Sequence, residues 1–272
     1  VRVFTLIVCL PAILAAQDPR EIVRRSVEID RKNLEIARNY TYLERQEVRE
    51  LDGSGKVKNT EVQTSDVTLL EGSPYRRLVA RNDQPLSPKE QKKEEDKLRR
   101  SIEERRKETT EERERRIADW ERRQERQREP LRELPDGFDF RLIGEEAFAS
   151  DEVYVIDATP KPGYKPKLPS AAYFPKVKAR FWIDKKDYRW ARVEVETLDT
   201  ISFAGFLLRL AKGSRLTIEQ AHVNQEVWLL KSVTLRGSAR VALIKSLHEE
   251  LIITFSDYKK FQVDSRVIST AQ

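Results

Sequence analysis

Only one cysteine, two histidines and no methionine occur in the 272 residues. The cysteine, Cys9, lies in the apolar segment near the start, so the remainder can form neither a disulfide nor a thiolate metal site. His222 and His248 stand far apart in strand-like contexts, without a metal-ligand constellation around either. No G-x-S-x-G elbow, phosphate loop or dinucleotide fingerprint occurs. "DGSG" (Asp52 to Gly55) lacks the lysine and following helix of a phosphate loop and reads as a turn. Adjacent carboxylates such as Glu145-Glu146 and Glu249-Glu250 are expected by chance in a chain that is 36% charged. No residue is thus a candidate for catalysis or metal binding, and no cofactor is implied.

Long apolar runs are also missing. The longest, "VFTLIVCLPAILAA" (Val3 to Ala16), has fourteen residues, against the roughly 20 that span a bilayer as a helix. Arg2 precedes it and polar "QDPREIV" follows, which is the layout of a cleaved export signal over residues 1–16. Val8 is bulky where lipoprotein processing at Cys9 wants a small residue, so a soluble exported protein is expected rather than a lipid-anchored one. Val1, in a chain without methionine, reads as a literally translated GTG start codon, which points to a bacterial source and the periplasm.

What the chain has in excess is charge, and the excess is local. From Lys89 to Glu129 there are 16 Lys or Arg and 14 Asp or Glu, a net of only +2 within the chain's +6. A nucleic-acid arm works by displacing counterions from phosphates and needs unbalanced positive charge, so no nucleic-acid partner is expected. Six acid-before-base pairs at i,i+4, from Glu95–Arg99 to Asp119–Arg123, each add about 0.2–0.5 kcal/mol to an exposed helix. Ile102 and Ile117 are separated by an interval without apolar residues, which breaks any coiled-coil seam. The segment reads as a long solvated helix or a helical hairpin bending at Thr109-Thr110, docked at most by its ends. Ile117 and Trp120 are its candidate docking points for a partner.

Around this segment the hydrophobic period changes twice. "DPREIVRRSVEIDRKNLEIAR" has helical spacing, with Asp18 as N-cap and Pro19 at the first position. Alternation from Tyr40 to Arg81, broken by "DGSG" and "EGSP", predicts a three-stranded antiparallel meander. Strands dominate again from Phe138, with turns expected at Asp184–Asp187 and Arg236–Ser238 and a helix expected over the apolar run beginning at Ser202. The fold class expected is mainly β, within α+β: one strongly curved antiparallel sheet with three helical segments. It forms one domain over 17–272, interrupted by a charged helical insertion at 87–134.

"YVIDATPKP" (Tyr154 to Pro162) followed by "ARFWIDKKDYRWARVEVE" (Ala179 to Glu196), then Trp228-Leu229-Leu230 and Phe255-Ser256-Asp257-Tyr258, resembles the bacterial outer-membrane lipoprotein-sorting family, the LolA/LolB-like carriers. Leu230 stands where that pattern has proline, and the charged insertion is outside it. The resemblance implies a concave, unclosed antiparallel barrel with helices plugging its mouth, whose hollow takes an acyl chain or a protein partner, in a periplasmic binding protein and not an enzyme. Large apolar residues on both faces of strands such as "RFWI", "VWLL" and "LIITF" fit a hollow that is covered by helices or by a ligand. The candidate lining and lid residues are Trp182, Trp190, Phe203, Phe206, Leu207, Trp228, Ile253 and Phe255, with the Phe203–Leu210 run as lid. The expected ligand is a lipoprotein or acyl lipid, with peripheral or transient membrane contact at most. The alternative is an envelope scaffold or sensor that binds a protein partner through the sheet or the charged helix.

Overall fold

The computed structural model describes residues 18–149, 151–203, 208–241 and 245–261. The apolar segment read as an export signal lies outside them. Helix α1 (Pro19–Ala37) begins at Asp18, whose carboxylate accepts a hydrogen bond from the Arg20 amide at 2.9 Å. The predicted meander follows as β1 (Tyr40–Leu51), β2 (Val57–Leu70) and β3 (Ser73–Arg81), with a two-residue β4 (Gln84–Pro85) beyond it. Helices α2 (Pro88–Lys107) and α3 (Thr110–Arg128) come next, then a 3-10 segment (Glu129–Glu133) and the single turn α4 (Leu134–Gly137). Strands β5 (Phe138–Phe148) and β6 (Asp151–Pro160) lead through two 3-10 turns, Pro169–Ala171 and Phe174–Lys176, to β7 (Val177–Asp184) and β8 (Trp190–Thr197). The described residues end with β9 (Ile201–Phe203), β10 (Leu208–Leu210), β11 (Arg215–Val223), β12 (Val227–Val241) and β13 (Lys245–Lys260).

All of these strands belong to one antiparallel sheet, ordered β4-β3-β2-β1-β13-β12-β11-β8-β7-β6-β5. The first strand of the meander meets the last described strand, since β1 pairs along β13 from Tyr40–Lys260 to Glu50–Glu249. β4 and β5 do not pair, so the sheet stays open. Register shifts at Thr41/Leu43, Thr64/Ser65, Leu142/Gly144 and Glu219/Gln220 add the local bends that let it curve.

The core sits on the inner face. Ile22 and Val23 of α1 pack with Phe138, Tyr154, Ile156, Phe174, Val177, Phe181, Ile183 and Val193. Within this set Val23, Ile156 and Ile183 have no exposed surface. Helix α1 is tied to the sheet by a polar contact as well. The buried Asn33 amide donates to the Trp228 carbonyl at 2.6 Å, and its oxygen accepts the Trp228 N–H at 3.0 Å. Arg189 donates to the same oxygen. A side-chain amide thereby does for β12 what a neighbouring strand would do, satisfying two buried backbone groups.

The structure revises three local expectations. Ser202–Phe203 and Leu208–Leu210 belong to strands, not to a lid helix: β9 and β10 pair with each other, and β10 pairs with β12. The apolar run is compatible with either period, and pairing with β12 satisfies the backbone here. Arg236–Ser238 is not a turn but lies inside β12. Gly237 is needed there because a Cβ would meet Ser214 Cβ at 2.6 Å and its Cα at 3.2 Å. The charged helices are docked near their bend rather than by their ends alone. Arg105 donates to the carbonyls of Leu70 and Ser73 at 2.6 and 3.1 Å, and Arg116 donates to that of Glu71 at 2.9 Å. Ile117 lies against Gly72, whose φ of +84° and lack of a Cβ permit the approach.

The hairpin itself is capped twice, by Ser87–Glu90 and Thr109–Glu112 capping boxes. Of its anticipated i,i+4 pairs Glu111–Arg115 forms, while Glu94–Lys97, Asp96–Arg99 and Asp119–Arg122 form at i,i+3. Both spacings bring side chains onto one helix face.

Replacing Asn33 by leucine leaves both Trp228 backbone groups unpaired. Each orphaned group costs about 1–3 kcal/mol, so urea unfolding of Asn33→Leu should show a loss of about 2–5 kcal/mol. A loss below about 0.5 kcal/mol, within the range of ordinary surface substitutions, would mean that α1 is held by apolar packing alone.

Candidate functional site

An apolar cavity of about 650 Å³ lies on the inner face of the sheet. Its floor follows from the pairing register. Ala179 stands opposite Val195, Val195 opposite Leu216, and Leu216 opposite Leu235, which is opposite Leu251, with Phe181, Val193 and Ile218 paired beside them on the same face. Residues paired directly share a face, so β7, β8, β11, β12 and β13 put one apolar row under a single hollow. Leu131 and Leu134, Tyr173 and Phe174, and Ile201 and Leu210 also line it.

The polar groups of the wall are largely satisfied within it. Thr197 Oγ1 donates to the Ala211 carbonyl at 2.7 Å, and Ser214 Oγ donates to the same oxygen at 2.8 Å. Trp190 Nε1 donates to Ser26 Oγ at 2.7 Å, fixing the indole against α1.

The segment carrying Leu131 and Leu134 is fastened by one buried carboxylate. Glu133 accepts from the Tyr164 hydroxyl at 2.5 Å and from the Lys167 and Leu168 amides at 2.9 and 2.5 Å. Burial opposes the charged form of Glu133, but these three donors outweigh it and hold the carboxyl below its ordinary value. Burial, reinforced by the hydrogen bond to Glu133, pushes Tyr164 up to about 12. The proline-rich loop and the 3-10 segment are therefore joined at the point where both reach the cavity.

The candidate lining residues are distributed over both faces. Trp190 lines the cavity. Trp182 and Trp228 instead share a cluster with Val153, Ala191 and Phe148, and Trp228 also borders a second, smaller cavity. Strand alternation puts Trp182 opposite in sense to Phe181, so both cannot face the hollow. Trp182 donates to Glu146 at 2.6 Å, and Trp228 donates to Asp187 at 3.2 Å and stacks on His222. Ile253 lies between Leu251 and Phe255 on the inner face of β13. Phe255 lines a smaller cavity of about 180 Å³ between the sheet, α1 and α3, 5.6 Å from the Tyr42 ring. Phe203 is a β9 residue, while Phe206 and Leu207 lie outside the described residues.

Trp120 lines the smaller cavity with the Arg38 guanidinium 5.9 Å from its ring centroid, and Ile117 rests on Gly72. The apolar surface of both is turned toward this chain's own sheet. Leu216, Leu235, Leu251, Tyr173 and Phe174 were not legible as lining residues. The first three become so once the register to Phe181 is known; the other two lie in an irregular loop without a period.

No family model and no curated protein matches this chain. Solved structures are similar over most of its length. One is an outer membrane lipoprotein-sorting protein domain from Vibrio parahaemolyticus, 12% identical over 90% of this chain and 95% of that one, with a TM-score of 0.37. A LolA superfamily protein from Nitrosomonas europaea is 12% identical over 91% and 94%, with a TM-score of 0.31. MucB, in the Pseudomonas aeruginosa MucA/MucB complex, is 9% identical over 90% and 99%, with a TM-score of 0.26.

The sign of the Glu133 contribution is set by its lowered pKa. Its stabilisation is fully present above the unfolded-state value and is lost as pH falls through the lower folded value. Urea midpoints of wild type and Glu133→Gln should differ at neutral pH and converge below the ordinary carboxylate range. A pH-independent difference would assign the effect to packing.

Proposed function

We propose that this protein is an exported, periplasmic binding protein that shelters an acyl chain in its inner-face cavity and is not an enzyme. The observation that carries this reading is the 650 Å³ apolar hollow built from five adjacent strands. Sites for small molecules have this size and composition, apolar with few polar groups. A bound methylene gains roughly 0.8 kcal/mol on leaving water, so a long acyl chain can offset the cost of immobilisation. The Leu131–Leu134 and Tyr173–Phe174 segments line the hollow opposite the sheet. Export is supported by the signal-like segment at the start of the sequence, and no helix among the described residues is long and apolar enough to cross a membrane.

The test fills the hollow. Leu235→Trp and Leu251→Trp add side-chain volume at half-buried positions that face open space. Binding of the neutral probe N-phenyl-1-naphthylamine should weaken about tenfold or more, equivalent to about 1.4 kcal/mol. The melting temperature should hold or rise, because the ring fills a void. Unchanged probe binding in both filled variants, or no binding by wild type, would sink the proposal.

A further inference from the structure

The cavity's lining contains a single charged side chain among the described residues, Glu249 of β13. It lies at one end of the apolar row. From β7 to β13 there are four inter-strand steps of about 4.8 Å, so the row extends about 19 Å. Phe181 and Phe174 stand toward one end and Glu249 toward the other.

The register explains why no cation among the described side chains pairs with Glu249. Opposite it are Gly237 on β12, which has no side chain, and Glu50 on β1. The neighbouring arginines Arg49 and Arg236 are paired in register with Glu250 and so share the outer face with it. Arg49 reaches Glu250 at 3.1 Å. No hydrogen bond or ion pair joins Glu249 to another described residue, whereas the Thr197, Ser214 and Trp190 donors in the same wall are engaged internally. The Tyr173 ring packs edge-on against Phe174, toward the other end.

We infer that Glu249 selects the head of the bound amphiphile: the ligand is an acyl or alkyl chain whose polar end donates hydrogen bonds or carries positive charge, not a free fatty-acid anion. This rests on the cavity being the binding site. A carboxylate accepts and cannot donate, so a donating or cationic head satisfies it. An anionic head would place two like charges together beside apolar walls, where their repulsion is less screened than in water. The chain's net charge of +6 would by itself attract anions, so a preference for cations would come from the site.

Full-length mature protein should be titrated with dodecylamine, dodecanol and laurate below their critical micelle concentrations, by displacement of N-phenyl-1-naphthylamine at constant ionic strength. The amine and the alcohol should each bind about tenfold or more tighter than laurate, the amine best. Glu249→Gln should bring laurate to within about threefold of the alcohol, and Glu249→Lys should make laurate the best of the three. Circular dichroism would confirm that both variants fold. Laurate binding as tightly as the amine to wild type, or an order unmoved by Glu249→Lys, overturns the inference while leaving the cavity reading intact. No displacement by any of the three overturns both.

Discussion

An open sheet with an apolar inner face must keep that face from water, and this chain has little to cover it with. Among the described residues α1 is the one strongly amphipathic helix, and it supplies Ile22 and Val23 to the core near β5 and β7. Its far end is fixed to β12 by the Asn33 amide, which pairs with both backbone groups of Trp228. The rest of the cover is irregular chain. That material can stay ordered because Glu133 gathers the Tyr164 hydroxyl and two loop amides into one buried point.

The incompleteness of this cover is what makes a cavity. Side chains on β11, β12 and β13 reach the inner face beyond the region where α1 packs, and the segments above them touch only the rim. A protein interior normally closes such space, because an unfilled hollow loses dispersion contacts on every wall. Retaining about 650 Å³ is therefore a cost to the fold, and a bound chain would recover it.

The charged hairpin obeys different physics. No residue of α2 or α3 is buried. It is held by guanidinium groups on the carbonyls of the β2–β3 turn, by the Arg116–Glu108 pair and by Arg128 on Asp30. Such contacts are geometrically specific, yet exposed ion pairs are individually weak. The hairpin roofs the smaller cavity with Trp120, and the large cavity is built without its helices.

Local periodicity was enough to place α1, the meander, the break at Thr109 and the Asp184–Asp187 turn, since each depends on nearest neighbours: a cap, a proline, a change of period. It also gave the sense of Phe181 against Trp182, but not which of the two faced the hollow. Alternation defines two faces and leaves them unnamed. The pairing of β1 with β13 and of β8 with β11 decided that, through contacts between residues far apart in sequence. The same holds for Gly237, a turn by composition and a close approach to Ser214 in space, and for the apolar run after Ser202, whose ends pair as strands. The sequence by itself determined which segments were apolar, charged or turning; only the tertiary structure decided which apolar face met empty space, because that depends on how far the covering chain could reach.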